Sequence, residues 1–265
     1  MIGIFDSGVG GLTIVKEIFI NLPEYQITYF GDTARLPYGT KGANFVKKYS
    51  AKIVNFLLKK NAKIIIIACN TSSAYAADML KNQFKSLPIF EMIDPAVSES
   101  LRVTKNKRIG IVGTPGTINS GAYQNKFLRQ DKSVKIFLQP CPLLVPLVEE
   151  GMLDDKITID VLKKYLIPLK NKGIDTLILG CTHYPLLEKS IIKVLGKRIS
   201  VVNPAESLAK EVKNYISKNP VLQKSLKKGS ANKFFFSDQP YNLKKISQLC
   251  FNKKIIPTVL DPFNE

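Results

Sequence analysis

Short aliphatic runs, each closed by a small or polar residue and followed by apolar positions at helical spacing, set the rhythm of this chain. The first is Ile2-Gly3-Ile4-Phe5, which runs into Asp6-Ser7-Gly8-Val9-Gly10-Gly11, and residues 12–19 then carry an apolar helical stripe. A second run, 26–31, closes on Asp32-Thr33 and on the Pro/Gly loop Leu36-Pro37-Tyr38-Gly39-Thr40. Phe45, Tyr49, Ile53, Phe56 and Leu57 mark the buried face of a long helix, and a third run ends at Cys69. Strand, helix, strand, helix, strand is the order of a parallel sheet covered by helices.

Asn70-Thr71-Ser72-Ser73 supplies caps for a helix over 74–83, a strand follows at 88–92, and Asp94-Pro95 is expected to open the crossing into a second unit. There the pattern restarts, with strands at 109–113, 134–138 and 176–180 and helices at 157–170 and 184–194. A hydroxyl-rich loop at 114–120 and an apolar, proline-rich segment at 140–151 interrupt it, and Glu149 and Glu150 stand out in the latter. A last strand at 199–203 leads to a helix beginning at Pro204. Lys233-Phe234-Phe235-Phe236-Ser237 reads as a buried strand rather than as a base-stacking motif.

Two stretches share one grammar. Ile64-Ile65-Ile66-Ile67-Ala68-Cys69-Asn70-Thr71 and Leu177-Ile178-Leu179-Gly180-Cys181-Thr182-His183 each run an aliphatic segment through one small residue into a cysteine and then a polar residue. Parallel α/β sheets bind ligands beyond the carboxyl ends of their strands, so matched thiols there are placed to face one another across a cleft. A lone cysteine in such a place is an ordinary small hydrophobe; a matched pair argues for chemistry.

Composition narrows the classes. With 265 residues the chain suits two domains, and 45% hydrophobic and 23% charged residues are those of a soluble globular protein. Its 39 Lys and Arg against 21 acids give a net charge of +18, but the lysines are spread along the whole chain, which speaks for a solvated surface and against specific nucleic-acid binding. A positive field of this kind also draws in an anionic substrate. No apolar run approaches the roughly 18 residues of a membrane helix, and Met1 leads directly into the first strand without a signal-like segment, so a cytoplasmic protein is expected.

Four scattered cysteines and one histidine speak against a zinc site and for reduced, free thiols. The loop at Gly8-Val9-Gly10-Gly11 is not the full G-x-G-x-x-G of dinucleotide folds, so it reads as a tight turn presenting Asp6 and Ser7 rather than as a cofactor site. Adjacent Cys181 and His183 suit a cysteine hydrolase, but that mechanism leaves Cys69 without a role. Two thiols flanking one carbon give both cysteines work: one, as thiolate, removes a proton from one face, and the other, as thiol, returns a proton to the opposite face. A racemase, a hydrolase or transferase, and a basic binding protein with incidental thiols remain the three classes.

Taken together, Phe5-Asp6-Ser7-Gly8-Val9-Gly10-Gly11, Pro37-Tyr38-Gly39, Ala68-Cys69-Asn70-Thr71, the segment 142–151 and Gly180-Cys181-Thr182-His183 resemble the glutamate racemases, in the cofactor-independent aspartate/glutamate racemase superfamily. The resemblance runs through essentially the whole chain. It implies interconversion of L- and D-glutamate for bacterial peptidoglycan without pyridoxal phosphate or metal, hence no cofactor, and a homodimer as the assembly. It makes Cys69 the base toward D-glutamate and Cys181 the base toward L-glutamate, with Asp6 and His183 assisting them respectively and Asp32 and Glu149 as supporting acids. Asp6, Ser7, Pro37, Tyr38, Gly39, Asn70, Thr71, Thr114, Thr117 and Thr182 resemble the substrate-holding set. His183 favours the glutamate branch over the aspartate racemases of the same superfamily, which usually carry an acid there.

The fold so implied is two pseudo-symmetric α/β/α domains with mostly parallel sheets and the active site between them. Residues 1–94 with 208–265 form the first and carry Cys69; residues 95–207 form the second and carry Cys181. Pattern alone assigns the tail to the second domain; the resemblance returns it to the first. Cys141 and Cys250 match nothing in the catalytic pattern and read as structural.

Overall fold

In the strands Ile2–Asp6, Ile27–Gly31, Ile64–Ile67 and Thr176–Gly180 every residue is buried, the profile of parallel strands covered by helices on both faces. The structure, a computed structural model, describes residues 1–252 and 254–263; Lys253, Asn264 and Glu265, which the expected first domain takes in, lie outside the described residues. In chain order the strands are β1 (Ile2–Asp6), β2 (Ile27–Gly31), β3 (Ile64–Ile67), β4 (Ile89–Glu91), β5 (Arg108–Gly113), β6 (Lys135–Pro140), β7 (Thr176–Gly180), β8 (Ser200–Val202), β9 (Lys233–Phe236) and β10 (Thr258–Val259).

They form two sheets, ordered β10-β9-β2-β1-β3-β4 and β6-β5-β7-β8. All the strand pairings within them are parallel, with helices in the crossovers, so the fold is α/β. The tail strand β9 lies beside β2, Phe235 opposite Phe30, and Phe236 is fully buried against Tyr29 at 5.7 Å between ring centroids. One apolar cluster runs without a break from Ile4 and Leu12 to Leu177, Tyr184 and Leu208, so the two sheets share a core. Among the described residues no helix is long and apolar enough to cross a membrane.

The segment expected as a helix from 184 opens as a 3-10 turn, Tyr184–Leu187, before the helix Glu188–Leu195, and at three further helix starts the structure differs from the sequence pattern for a local reason. The helix expected to open at 74 opens at Asn70, because the Cys69 side chain caps it by accepting the Ser72 N–H. Asp94-Pro95, expected as a crossing loop, lies inside the helix Ile93–Val103. There the Glu91 carboxylate accepts the N–H groups of Ile93 at 2.6 Å and Asp94 at 2.9 Å, and proline fits a first turn. In the hydroxyl-rich loop Thr114 caps a short helix, Pro115–Asn119.

Parallel strands send their carboxyl ends one way, and this arrangement places the chemistry. Asp6 ends β1, Asp32 follows β2 and Cys69 stands two residues past β3; in the second sheet Thr114 follows β5, Cys141 follows β6 and Cys181 follows β7.

Candidate active site

A cavity of about 330 Å³ lies where the carboxyl ends of the two sheets meet, and both Cys69 and Cys181 line it. Ser7, Pro37, Tyr38, Gly39, Asn70, Thr71, Thr114, Glu149, Thr182 and His183 line it as well. Asp6, Asp32 and Thr117, named from sequence with this group, stand behind the wall and touch residues that form it.

The two thiols sit in unlike surroundings. Cys181 is 7% exposed, and its Sγ faces His183 Nδ1 at 3.8 Å, while His183 Nε2 lies 3.0 Å from Glu149 Oε1. Burial works against a charged ring, but the hydrogen bonds and negative charges of Cys181 and Glu149 outweigh it and push His183 up to about 10. A positive ring thus stands 3.8 Å from the Cys181 Sγ.

Cys69 is 5% exposed and accepts the Ser72 N–H at 3.4 Å, with its own Sγ 3.7 Å from Ser7 Oγ. Burial and the neighbouring charge of Asp6 push this thiol up to about 11, against the opposing pull of the Ser72 and Ser7 contacts. Cys69 is therefore a thiol at neutral pH.

Asp6 itself is fully buried. Its Oδ2 accepts the N–H groups of Gly8 at 3.0 Å and Gly11 at 3.1 Å, while Oδ1 has no hydrogen-bond partner among the described residues. Burial raises its pKa, and the charge of His183 and the backbone donors pull it back.

The glycines of this first loop answer to close approach. A Cβ on Gly10 would stand 2.4 Å from His183 Cε1, so the loop from the first sheet lies directly on the imidazole from the second. Thr13 fixes the same crossing, its hydroxyl bonded to the carbonyls of Gly10 and Thr182 at 2.9 Å each.

Polar donors gather around Thr71 and Thr114, which line the cavity. The hydroxyl oxygens of Thr71, Thr114 and Thr117 form a triangle with sides of 2.9, 3.1 and 3.0 Å, at the start of the helices Asn70–Gln83 and Pro115–Asn119. Asn70 Nδ2, buried and without a partner among the described residues, is a further donor on a residue that lines the cavity. Hydroxyls and an amide bind carboxylates without putting a lysine beside the thiols. Leu36, Pro142, Val145 and Pro146 add to the lining an apolar surface suited to methylene groups.

Sequence reasoning missed Tyr123, whose hydroxyl donates to Asn70 Oδ1 at 3.3 Å, and Thr13. Both sit on helices among core positions, where nothing in the pattern sets them apart.

Residues 19–212 match the family described as Asp/Glu/Hydantoin racemase, a span that holds both thiols, Glu149 and His183. The chain is 44% identical over 252 residues to the glutamate racemase of Aquifex pyrophilus, covering 95% of this chain and 94% of that one. It belongs to the Asp/Glu/hydantoin racemase family. Solved glutamate racemases share the whole racemase fold. An isoform from Bacillus anthracis superposes with a TM-score of 0.91 at 34% identity, covering 99% of this chain and 97% of that one. The enzyme of Francisella tularensis, solved with D-glutamate, gives 0.89 at 35% identity over 98% and 96% of the two chains.

Proposed function

We propose that this chain interconverts L- and D-glutamate by proton exchange between Cys69 and Cys181 on opposite faces of the α-carbon. The observation that carries the reading is that both thiols line one cavity in unlike surroundings, Cys69 beside Ser7 and the Ser72 N–H and Cys181 beside the His183 imidazole. Cys181, supported by the His183 imidazolium, takes the α-proton of L-glutamate and becomes a thiol. Cys69, held as a thiol, gives its proton to the other face and becomes a thiolate. D-glutamate follows the reverse course. Each turnover leaves the two protons exchanged between the sites, and transfer to and from solvent restores the starting state.

Asp6 and His183 assist Cys69 and Cys181 in turn, and Glu149 keeps the imidazole charged and oriented. The amide of Asn70, the hydroxyls of Thr71, Thr114 and Thr182, and the loop at Tyr38-Gly39 hold the substrate carboxylates. Neither pyridoxal phosphate nor a metal takes part. The protein works as a homodimer in the cytoplasm and supplies D-glutamate for peptidoglycan. Residues 1–94 with 208–265 form one unit and residues 95–207 the other, and the cavity lies between them.

The test is the optical signal of L-glutamate incubated with protein that has been treated with a chelator and given no cofactor. Decay to zero signal with total glutamate unchanged supports the reading. A stable signal, or faster decay with L-aspartate than with L-glutamate, sinks it.

A further inference from the structure

The loop 36–40 supplies Leu36, Pro37, Tyr38, Gly39 and Thr40 to the cavity wall, yet it owns little structure beyond a single 3-10 turn at Tyr38–Thr40. Leu36, Pro37 and Thr40 are exposed, so packing alone does not hold it. Its position comes from the far side. The Tyr38 hydroxyl donates to Asp32 Oδ2 at 2.6 Å, and Asp32 is a fully buried carboxylate. The other oxygen of Asp32 accepts from Arg35 at 2.8 Å and from the Ser237 hydroxyl at 2.7 Å.

Those contacts lead into the tail of the chain. Ser237 follows β9, and its Oγ also accepts the Ala34 N–H at 2.9 Å. Thr33 and Asp238 are joined by two further bonds, Thr33 Oγ1 to the Asp238 carbonyl at 2.6 Å and the Asp238 N–H to Thr33 Oγ1 at 2.9 Å. Arg35 reaches on to Asp261, two residues past β10, at 2.7 Å, and its guanidinium lies 4.6 Å from the Tyr49 ring centre and 5.3 Å from that of Phe263.

The Arg35 and Asp261 side chains are 11% and 12% exposed, so these are near-buried charges whose geometry matters, and Arg35 joins Asp261 to the buried Asp32. On the cavity side a Cβ on Gly39 would stand 2.6 Å from Thr114 Cβ, so the position of this loop also sets that of the threonine cluster.

We propose that Arg35, Ser237 and Asp261 are positioning residues for substrate binding, which act through Asp32 and the Tyr38 hydroxyl to hold the 36–40 loop against Thr114. This rests on the glutamate reading of the cavity. The latch touches no reacting atom, so its loss weakens binding of substrate and transition state alike, which raises KM and leaves kcat nearly unchanged.

The test compares Arg35→Met, Asp261→Asn and Ser237→Ala with wild type in KM and kcat for L-glutamate, and follows amide exchange at Leu36, Tyr38, Gly39 and Thr40. KM should rise about tenfold in Arg35→Met and severalfold in the other two, with kcat within about threefold. Arg35→Lys, which keeps charge but loses the planar fork, should fall between Arg35→Met and wild type. The double variant Arg35→Met/Asp261→Asn should be no worse than Arg35→Met, since the two act in series. Exchange at 36–40 should quicken while the amides of β1 and β3 stay protected.

Folded Arg35→Met and Ser237→Ala proteins with unchanged KM and unchanged exchange overturn the proposal. So does a fall in kcat that follows the melting temperature with no change in KM. If wild type itself does not racemise glutamate, the reading of the cavity fails separately, and exchange at 36–40 still decides for or against the latch.

Discussion

His183 Nε2 lies 3.0 Å from Glu149 Oε1 while Nδ1 of the same ring faces Cys181 Sγ at 3.8 Å, so one imidazole joins an acid on the helix Leu144–Glu149 to the thiol that follows β7. The arrangement makes a row in which the imidazole lies between the Glu149 carboxyl and the Cys181 sulfur. A folded-state value near 10, above the roughly 6.5 of a free histidine, means the folded protein holds this proton more tightly than the unfolded chain. The resulting contribution to stability is complete below pH about 6.5 and is lost as pH rises through about 10.

His183 is the one histidine in the sequence, so its titration can be read without assignment. The ring carbon signals in NMR should keep imidazolium positions through pH 8 and move only as pH approaches about 10. Glu149→Gln removes one of the two groups that raise the value, and the midpoint should drop by one to two pH units, given about 1.4 kcal/mol per unit. A wild-type midpoint between 6 and 7 would remove the imidazolium from the mechanism.

Cys69→Ala and Cys181→Ala should each lower racemisation by at least about a thousandfold, within the range that one positioned proton-transfer group supplies. The remaining thiol serves one face of the carbon, so neither variant retains a path to inversion. Near-wild-type turnover in either one, measured by the loss of optical activity, ends the two-base reading. A cysteine hydrolase would tolerate the loss of Cys69.

Much of this was legible because parallel sheets impose their own rules on sequence. Continuous Ile and Leu runs declared strands buried on both faces, and the residue after each run fell at a sheet's carboxyl edge, which is how Asp6, Cys69, Thr114 and Cys181 came to notice. What stayed hidden depends on partners distant in the chain. The resemblance makes Asp32 a supporting acid, whereas its carboxylate is occupied by Tyr38, Arg35 and Ser237, the last brought to it by a strand more than 200 residues away. Asp94-Pro95 looked like a loop because proline usually ends a helix, but the Glu91 side chain supplies the cap that lets one begin there. Local pattern reports periodicity and turns; it does not report which buried carboxylate finds which donor.

Gly10→Ala removes no functional group but should be strongly damaging, though less so than a change in the thiols. The new methyl would meet His183 Cε1 at 2.4 Å and Nδ1 at 2.5 Å, and ring or loop must move. A displacement of about 1 Å at the reacting groups costs on the order of 100-fold. We expect that loss in kcat/KM with the melting temperature changed by only a few degrees, and activity within threefold of wild type would show that the close packing of loop on imidazole is not needed.

Isotope labelling separates two opposed bases from one mobile base. A thiol carries a single proton, so the group that has just taken the α-proton of L-glutamate holds it on the face it came from. The proton delivered to the other face comes from the second thiol, which has equilibrated with solvent between turnovers. In D₂O, D-glutamate formed at low conversion should therefore carry deuterium at the α-carbon, while the remaining L-glutamate is still largely protiated. If one group reached both faces, it would return the proton it had just removed, and early D-glutamate would retain α-protium. The surroundings of Cys69 sharpen the expectation, because burial and the charge of Asp6 push it up to about 11, and it enters each turnover from L-glutamate already protonated by solvent. Proton NMR of the α-position in the first few per cent of reaction decides the matter, and substantial α-protium in early D-glutamate overturns the assignment of Cys69 and Cys181 as opposed acid and base.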